Sequence, residues 1–92
     1  MSRPKIGQCI HVSWLDITTD HGWTRPSESL DVAACVTVGF VTAMGDASIT
    51  LASCIGAAAN AATEDEVNVR TSIPWGCITA WSPLRMSKAV KP

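Results

Sequence analysis

Apolar and polar residues alternate in several short runs of this chain, and a period of two predicts β-strands. In the first run, Ile10, Val12 and Trp14 fall on one face and His11 and Ser13 on the other. β-branched and aromatic residues favour the extended conformation, so we expect a strand over residues 9–17. One of its faces should be buried.

The next two runs predict a β-hairpin. Residues 34–44 form the strongest strand pattern in the chain, and Gly39 in its middle suggests a bulge or a sharp bend. Gly45 and Asp46 supply a turn, and residues 48–55 then alternate apolar with polar groups. The second and third strands should therefore pair.

The last two predicted strands are separated by a single turn. Residues 67–73 form the fourth strand, which Pro74 ends because proline cannot donate to a ladder. One turn at 74–76 precedes a short fifth strand at 77–81. This arrangement is typical of small five-stranded barrels, so we expect a mostly β, strongly bent barrel.

The remaining segments lack this alternation. We expect residues 1–8 to be a flexible lead-in, 9–84 a single barrel domain, and 85–92 a basic tail. Residues 56–66 are rich in alanine and could form a helix, but they carry no apolar stripe larger than alanine. A loop is therefore the favoured interpretation of that segment.

The composition points to association between copies. Of the 92 residues, 47% are hydrophobic and only 16% are charged, against about a quarter charged in an average soluble domain. A chain of this length buries one modest core. Some of the apolar surface is therefore expected to contact other subunits, and we predict a homo-oligomer.

Basic residues lie mostly at the two ends of the chain. Residues 6–84 contain two basic residues, Arg25 and Arg70, and eight acidic residues. This region therefore has a net charge of −6. Proteins that bind duplex nucleic acid neutralise phosphates with Lys and Arg, and this region has no such stripe. A duplex nucleic-acid partner is therefore disfavoured.

The four cysteines are widely spaced, with no close pair of the kind that binds zinc. Each lies in an apolar run, where a free thiol behaves as a small hydrophobe. We expect the four cysteines, Cys9, Cys35, Cys54 and Cys77, to be buried and reduced. We also expect no metal and no other cofactor. The N-terminus has no apolar signal core and no run is long enough to span a bilayer, which favours a cytoplasmic protein without a membrane partner.

Several segments resemble small, uncharacterised bacteriophage proteins, over roughly residues 10 to 84. They are Val12-Ser13-Trp14-Leu15-Asp16, Gly22-Trp23, Cys35-Val36-Thr37-Val38-Gly39-Phe40-Val41, Ile49-Thr50-Leu51, and Ile73-Pro74-Trp75-Gly76-Cys77-Ile78 through Leu84.

The strand order is also similar to that of Sm-like and SH3-like barrels, which often assemble into rings or dimers. The phage resemblance implies an anti-defence role in the host cytoplasm, since phages carry small oligomeric proteins that sequester nucleotide second messengers. No catalytic residue is implied by either resemblance.

One loop concentrates the polar chemistry of the chain, between Asp16 and Arg25. A catalytic interpretation makes His21 a base oriented by Asp20 or Asp16. No nucleophile or metal-binding repeat accompanies it, and neighbouring loop residues rarely point the same way. We therefore expect a protein without enzymatic activity.

Ligand binding fits this loop better. A nucleobase can stack on Trp23 or Trp75, while Arg25 or Arg70 pairs with a phosphate. Two arginines in an acidic body suit a compact ligand better than a polymer. The predicted ligand contacts are therefore these four residues with Asp20 and His21.

Each of these residues also has a purely structural interpretation. Trp14 and Phe40 are expected to fill the core, and Trp81 to cap the barrel or meet another subunit. Arg70 can pair with a cross-strand carboxylate, and His11 is expected to be an ordinary strand histidine.

The favoured hypothesis is a non-enzymatic phage protein that binds a small anionic or nucleotide-like ligand. It would sequester an immune signalling nucleotide to counter host defence. Two alternatives remain open: an assembly protein that contacts a host or phage protein through its tryptophans, and a ring that binds single-stranded nucleic acid through its basic tails.

Overall fold

The computed structural model describes residues 2–56 and 66–85. It contains five β-strands and one 3₁₀ turn, Trp75–Cys77, which joins the last two strands. The strands are β1 (Cys9–Asp16), β2 (Ala33–Met44), β3 (Ser48–Gly56), β4 (Glu66–Pro74) and β5 (Ile78–Pro83). The five predicted strands and the turn before the fifth are confirmed. The part of the chain that the structure describes has no helix long and apolar enough to cross a membrane.

All five strands belong to one antiparallel sheet with the order β4-β3-β2-β1-β5. The predicted β2–β3 hairpin is confirmed, with Met44 opposite Ile49. The predicted closure into a barrel is wrong: within the described residues, β4 and β5 are the two edges of the sheet, and no ladder joins them. The single turn between them brings the strands round the core without pairing their backbones.

The core lies on one face of the sheet and draws on every strand. Its buried side chains are Ile10, Val12, Val41, Ile49, Leu51, Ile73 and Ile78. Trp14 packs against this cluster and donates from its indole Nε1 to Thr37 Oγ1 at 2.9 Å, which confirms its predicted face. Because one cluster gathers residues from all five strands, the sheet must curl around it.

Phe40 does not fill the core as predicted. It lies opposite Cys9 on β1 and Ala52 on β3, on the face that points away from Val41. Both sides of β2 are apolar in the sequence, so alternation alone cannot tell which side faces inward. The pairing register decides, and it turns Val41 inward and Phe40 outward.

Gly39 permits a close approach between β2 and β3. A Cβ at this position would lie 2.9 Å from the carbonyl oxygen of Ala52 and 3.2 Å from Leu51 Cβ. The predicted bulge occurs further along the strand, where the β2–β3 register shifts between Val41 and Ala43. A residue without a side chain is therefore required at Gly39 by packing.

The segment before β1 contacts the sheet at several points. Gly7 donates its N–H to the Val41 carbonyl at 2.7 Å, and Val41 donates to the Gln8 carbonyl at 2.9 Å. Pro4 is buried. Trp81 Nε1 donates to the Ser2 carbonyl at 2.8 Å. The predicted lead-in thus has no regular structure, but residues 2–8 pack against β2 and β5.

The cysteines are all free, and they are less buried than predicted. Cys54 is exposed, whereas Cys9, Cys35 and Cys77 are only half-buried. Cys54 lies toward the end of β3, beyond the core residues of that strand, Ile49 and Leu51. Residues 57–65 and 86–92, which include most of the alanine-rich segment and of the basic tail, lie outside the described residues.

Candidate functional site

The loop between β1 and β2 carries four of the six predicted ligand contacts. Asp20, His21, Trp23 and Arg25 all lie in it, and all four are exposed. The loop spans residues 17–32 and contains no helix or strand.

Local hydrogen bonds hold the two ends of this loop together. At its base, Thr18 Oγ1 donates to the Asp31 carbonyl at 2.7 Å. Nearer its tip, the Glu28 N–H donates to the Arg25 carbonyl at 3.0 Å, which forms a turn. The loop is thus anchored where it leaves the sheet, and its polar side chains remain open to solvent.

Trp23 differs from the other three tryptophans of the chain. It is fully exposed, whereas Trp14, Trp75 and Trp81 are half-buried against the core. Each of those three indoles also donates a hydrogen bond within the chain. Tryptophan buries a large area when it packs, so a fully exposed ring is available for an external partner.

Trp75 is already engaged on one face. The Arg3 guanidinium lies over its ring, 4.3 Å from the centroid, and its Nε1 donates to the Gly45 carbonyl at 2.8 Å. A cation placed over an aromatic face is an attractive arrangement. A ligand that stacked on that face of Trp75 would have to displace Arg3.

Arg70 is exposed on β4, an edge strand. Its cross-strand neighbour is Ala52, so the carboxylate expected from the ion-pair interpretation does not occupy that position. Two pairs further along, the hydroxyl oxygens of Thr50 and Ser72 are 2.7 Å apart. Since alternate residues of a strand share a face, Arg70 and Ser72 point to the same side of the sheet.

The predicted contacts fall in three separate places in one chain. Trp23 is in the loop before β2 begins at Ala33, whereas Trp75 bonds to Gly45 just after β2 ends. Arg70 shares a row of the sheet with Ala52 and Phe40. Along β2, Phe40 in that row is about 23 Å from Ala33, the first residue of the strand, at about 3.3 Å per residue. The places of Trp75 and Arg70 in the sheet are therefore distant from the point where the Trp23 loop leaves it.

The charge around Trp23 is acidic. Asp16, Asp20, Glu28 and Asp31 lie in or beside the loop, where Arg25 is the basic residue. Carboxylates can accept hydrogen bonds from hydroxyl and amino groups, and the guanidinium can bind an anion in a fork. Among residues 2–56 and 66–85, no group of three or more His, Cys, Asp or Glu side chains could hold a metal ion.

The sequence interpretation overlooked one surface. The side of β1 and β2 that faces away from the core exposes Leu15, Val36 and Val38. The signal was present, because residues 33–41 are apolar at almost every position rather than at alternate ones. A strand with that pattern is typically covered on both faces.

Comparisons with family models, with curated proteins and with solved structures find no significant match to this chain.

Proposed function

We propose that the protein is a non-enzymatic binding protein that works as a homo-oligomer and captures a small, nucleotide-like ligand at the loop between β1 and β2. The observation that carries this proposal is the full exposure of Trp23, two positions from Arg25 and from His21. A nucleobase stacked on the indole would contribute about 1–3 kcal/mol. Arg25 would bind a phosphate, and Asp20 and His21 would accept or donate hydrogen bonds to a sugar or a base.

The acidic loop narrows the class of ligand. Every additional phosphate would approach Asp16, Asp20, Glu28 and Asp31 as well as Arg25. One guanidinium offsets one or two negative charges at close range, but not the charge of a polyphosphate or a polymer. The favoured ligand therefore carries an aromatic base and one or two phosphate groups.

Association between copies would complete the set of contacts. Arg70 lies on an edge strand without a cross-strand carboxylate, and about 23 Å of strand separates its row from the loop in one chain. It could reach the ligand bound at Trp23 from a neighbouring copy. The contribution of Trp75 would require that Arg3 leave its ring.

The biological setting is also part of the proposal. The strand order β4-β3-β2-β1-β5, with one turn before β5, supports a relationship with Sm-like and SH3-like proteins. With the resemblance to small phage proteins, it leads us to propose sequestration of an immune signalling nucleotide in the cytoplasm of the infected host.

A second function is favoured by a different observation. Ile17, Leu30 and Val32 are exposed in the same loop as Trp23. With Trp23 they give the loop four exposed, large apolar side chains, which would suit a protein partner with Trp23 as the central anchor. In this alternative the protein assembles with a host or phage protein, and no small molecule is bound.

Isothermal titration with a panel of adenosine, adenosine monophosphate, a cyclic dinucleotide and adenosine triphosphate tests the ligand proposal. The compounds with one or two phosphates should bind most tightly. Trp23→Ala should weaken binding about 5- to 150-fold, which corresponds to the loss of about 1–3 kcal/mol of stacking. Arg25→Ala should remove the preference for monophosphate over the nucleoside.

Lys5→Ala is the matched control, since Lys5 is an exposed cation remote in sequence from the loop. It should leave binding unchanged. Equal affinity for Trp23→Ala and the parent protein would refute the site. Absence of binding to every compound, combined with stoichiometric capture of a protein from infected cells through Trp23, would favour the assembly function instead.

A further inference from the structure

The outer face of the β1–β2 arm is apolar and open to solvent. We define this arm face by the residues that point away from the core on β1, β2 and the adjoining part of β5. The register aligns ten such residues: Cys9, His11, Ser13, Leu15, Ala34, Val36, Val38, Phe40, Ala80 and Ser82. Val36 is 61% exposed and Val38 46% exposed.

The opposite side of the same strands already faces the core. Ile10 and Val12 on β1 and Val41 on β2 are at most 1% exposed. An antiparallel sheet with one solvated face normally alternates apolar with polar residues, whereas strands covered on both faces are apolar throughout. The β2 sequence matches the second case, yet among the residues that the structure describes Val36 and Val38 remain exposed. The arm face is therefore suited to an interface.

The arm face carries no acidic or basic residue, His11 being counted as neutral. The described carboxylates lie instead at strand ends and in loops: Asp16, Asp20, Glu28, Asp31, Asp46 and Glu66. The whole chain carries a net charge of only −1, so two copies repel each other weakly, and they do so least where they meet through an uncharged surface. A partner recognised by charge would require a charged face, so this surface fits a second copy of the same chain.

We propose that two copies pack their arm faces against each other around a two-fold axis, with Val36 and Val38 at the centre of the contact. A two-fold contact uses the same patch on both partners, and an uncharged apolar patch is complementary to itself. The two sheets would lie about 10 Å apart, as in a β-sandwich. Leu15 and Ala34 extend the contact toward the Trp23 loop.

The proposal deepens the homo-oligomer included in the proposed function and does not depend on the ligand. Ten residues a side is fewer than the 20–30 of a standard interface, so the contact is a modest one. The mass must therefore be measured over a range of concentrations. It should correspond to an even number of copies of the 9.7 kDa chain at high concentration and fall on dilution.

Sedimentation equilibrium of Val36→Lys tests the face directly. The substitution is tolerated by the fold because Val36 is exposed, but it places two like charges against each other across the axis. The dissociation constant should rise about a hundredfold or more. Ala43→Lys, an exposed position seven residues further along β2, is the matched control and should associate like the parent.

A charge-pair rescue keeps the test independent of folding. A mixture of Val36→Lys and Val36→Glu should form the mixed pair, although each variant alone stays at the mass of one chain. Circular dichroism should show that both variants are folded. If the parent is a monomer at every concentration, the homo-oligomer itself is refuted. If the parent associates and Val36→Lys associates equally well, the arm face is refuted and the oligomer stands.

Discussion

Two valines on β2 show how differently the two halves of this sheet are used. Val41 is 1% exposed and packs in the core, whereas Val36, five residues earlier on the same strand, is 61% exposed. Both are β-branched residues that favour an extended strand. The same residue type thus stabilises the fold at one position and remains available for contact at the other.

The difference follows from where the strands converge. The core gathers the first half of β1, the second half of β2, the start of β3 and the end of β4. The opposite ends of these strands project beyond the core. The β1–β2 arm ends in the loop that carries Trp23. Folding energy is therefore concentrated in one half of the sheet and recognition surface in the other.

The largest expected effect contrasts two leucines, one from each region. Leu51→Ala should destabilise the protein by about 2–5 kcal/mol, because Leu51 is fully buried and its removal leaves a cavity. Leu30→Ala removes the same atoms from an exposed loop residue and should change stability by less than about 0.5 kcal/mol. Urea unfolding at low protein concentration measures both. If Leu51→Ala and Leu30→Ala lowered the free energy of unfolding equally, the assignment of folding stability to the core half of the sheet would be contradicted.

A smaller effect contrasts two glycines. Gly39→Ala should cost about 1–3 kcal/mol, because the new Cβ would lie 2.9 Å from the Ala52 carbonyl oxygen, which belongs to the β3 backbone and cannot easily move.

Gly22→Ala is the matched control for Gly39→Ala. A Cβ at Gly22, in the β1–β2 loop, would meet no atom within 4 Å. This substitution should therefore be neutral or stabilise the protein by about 0.4–1 kcal/mol, since it reduces the freedom of the unfolded chain. Thermal unfolding of the two variants provides the comparison, and a stable Gly39→Ala protein would show that β2 and β3 can separate at that point.

Much of the fold could be predicted from local patterns. The alternation of Ile10, Val12 and Trp14 with His11 and Ser13 gives β1 and its buried face. Gly45 and Asp46 mark the hairpin turn. These features depend on residues that are close in the sequence, where period and turn chemistry are informative.

Other features depend on contacts between distant parts of the chain. The inward side of β2 is decided by register, so local alternation alone predicts the wrong face for Phe40. Packing of residues 2–8 requires Val41 and Trp81 as partners. The open β4 and β5 edges depend on how far the sheet curls, which no local pattern reports.

The candidate site likewise has features that local sequence predicts and features that depend on distant contacts. The composition of the β1–β2 loop identified Trp23 and Arg25 as exposed, polar-loop residues, and the structure places both there. It could not indicate that Arg3 covers Trp75, because those residues are 72 positions apart. Nor could it separate Arg70 from the loop, since only strand pairing places that residue in the Phe40 row.

Side-chain oxidation footprinting measures the central claim most directly, because it reports the solvent exposure of each tryptophan and valine in solution. In dilute, free protein Trp23 should be oxidised fastest among the four tryptophans, and Val36 much faster than Val41. At high concentration Val36 should become protected while Val41 is unchanged. Oxidation of Trp23 at the rate of Trp14, or equal rates for the two valines at every concentration, would contradict the separation of folding and recognition surfaces.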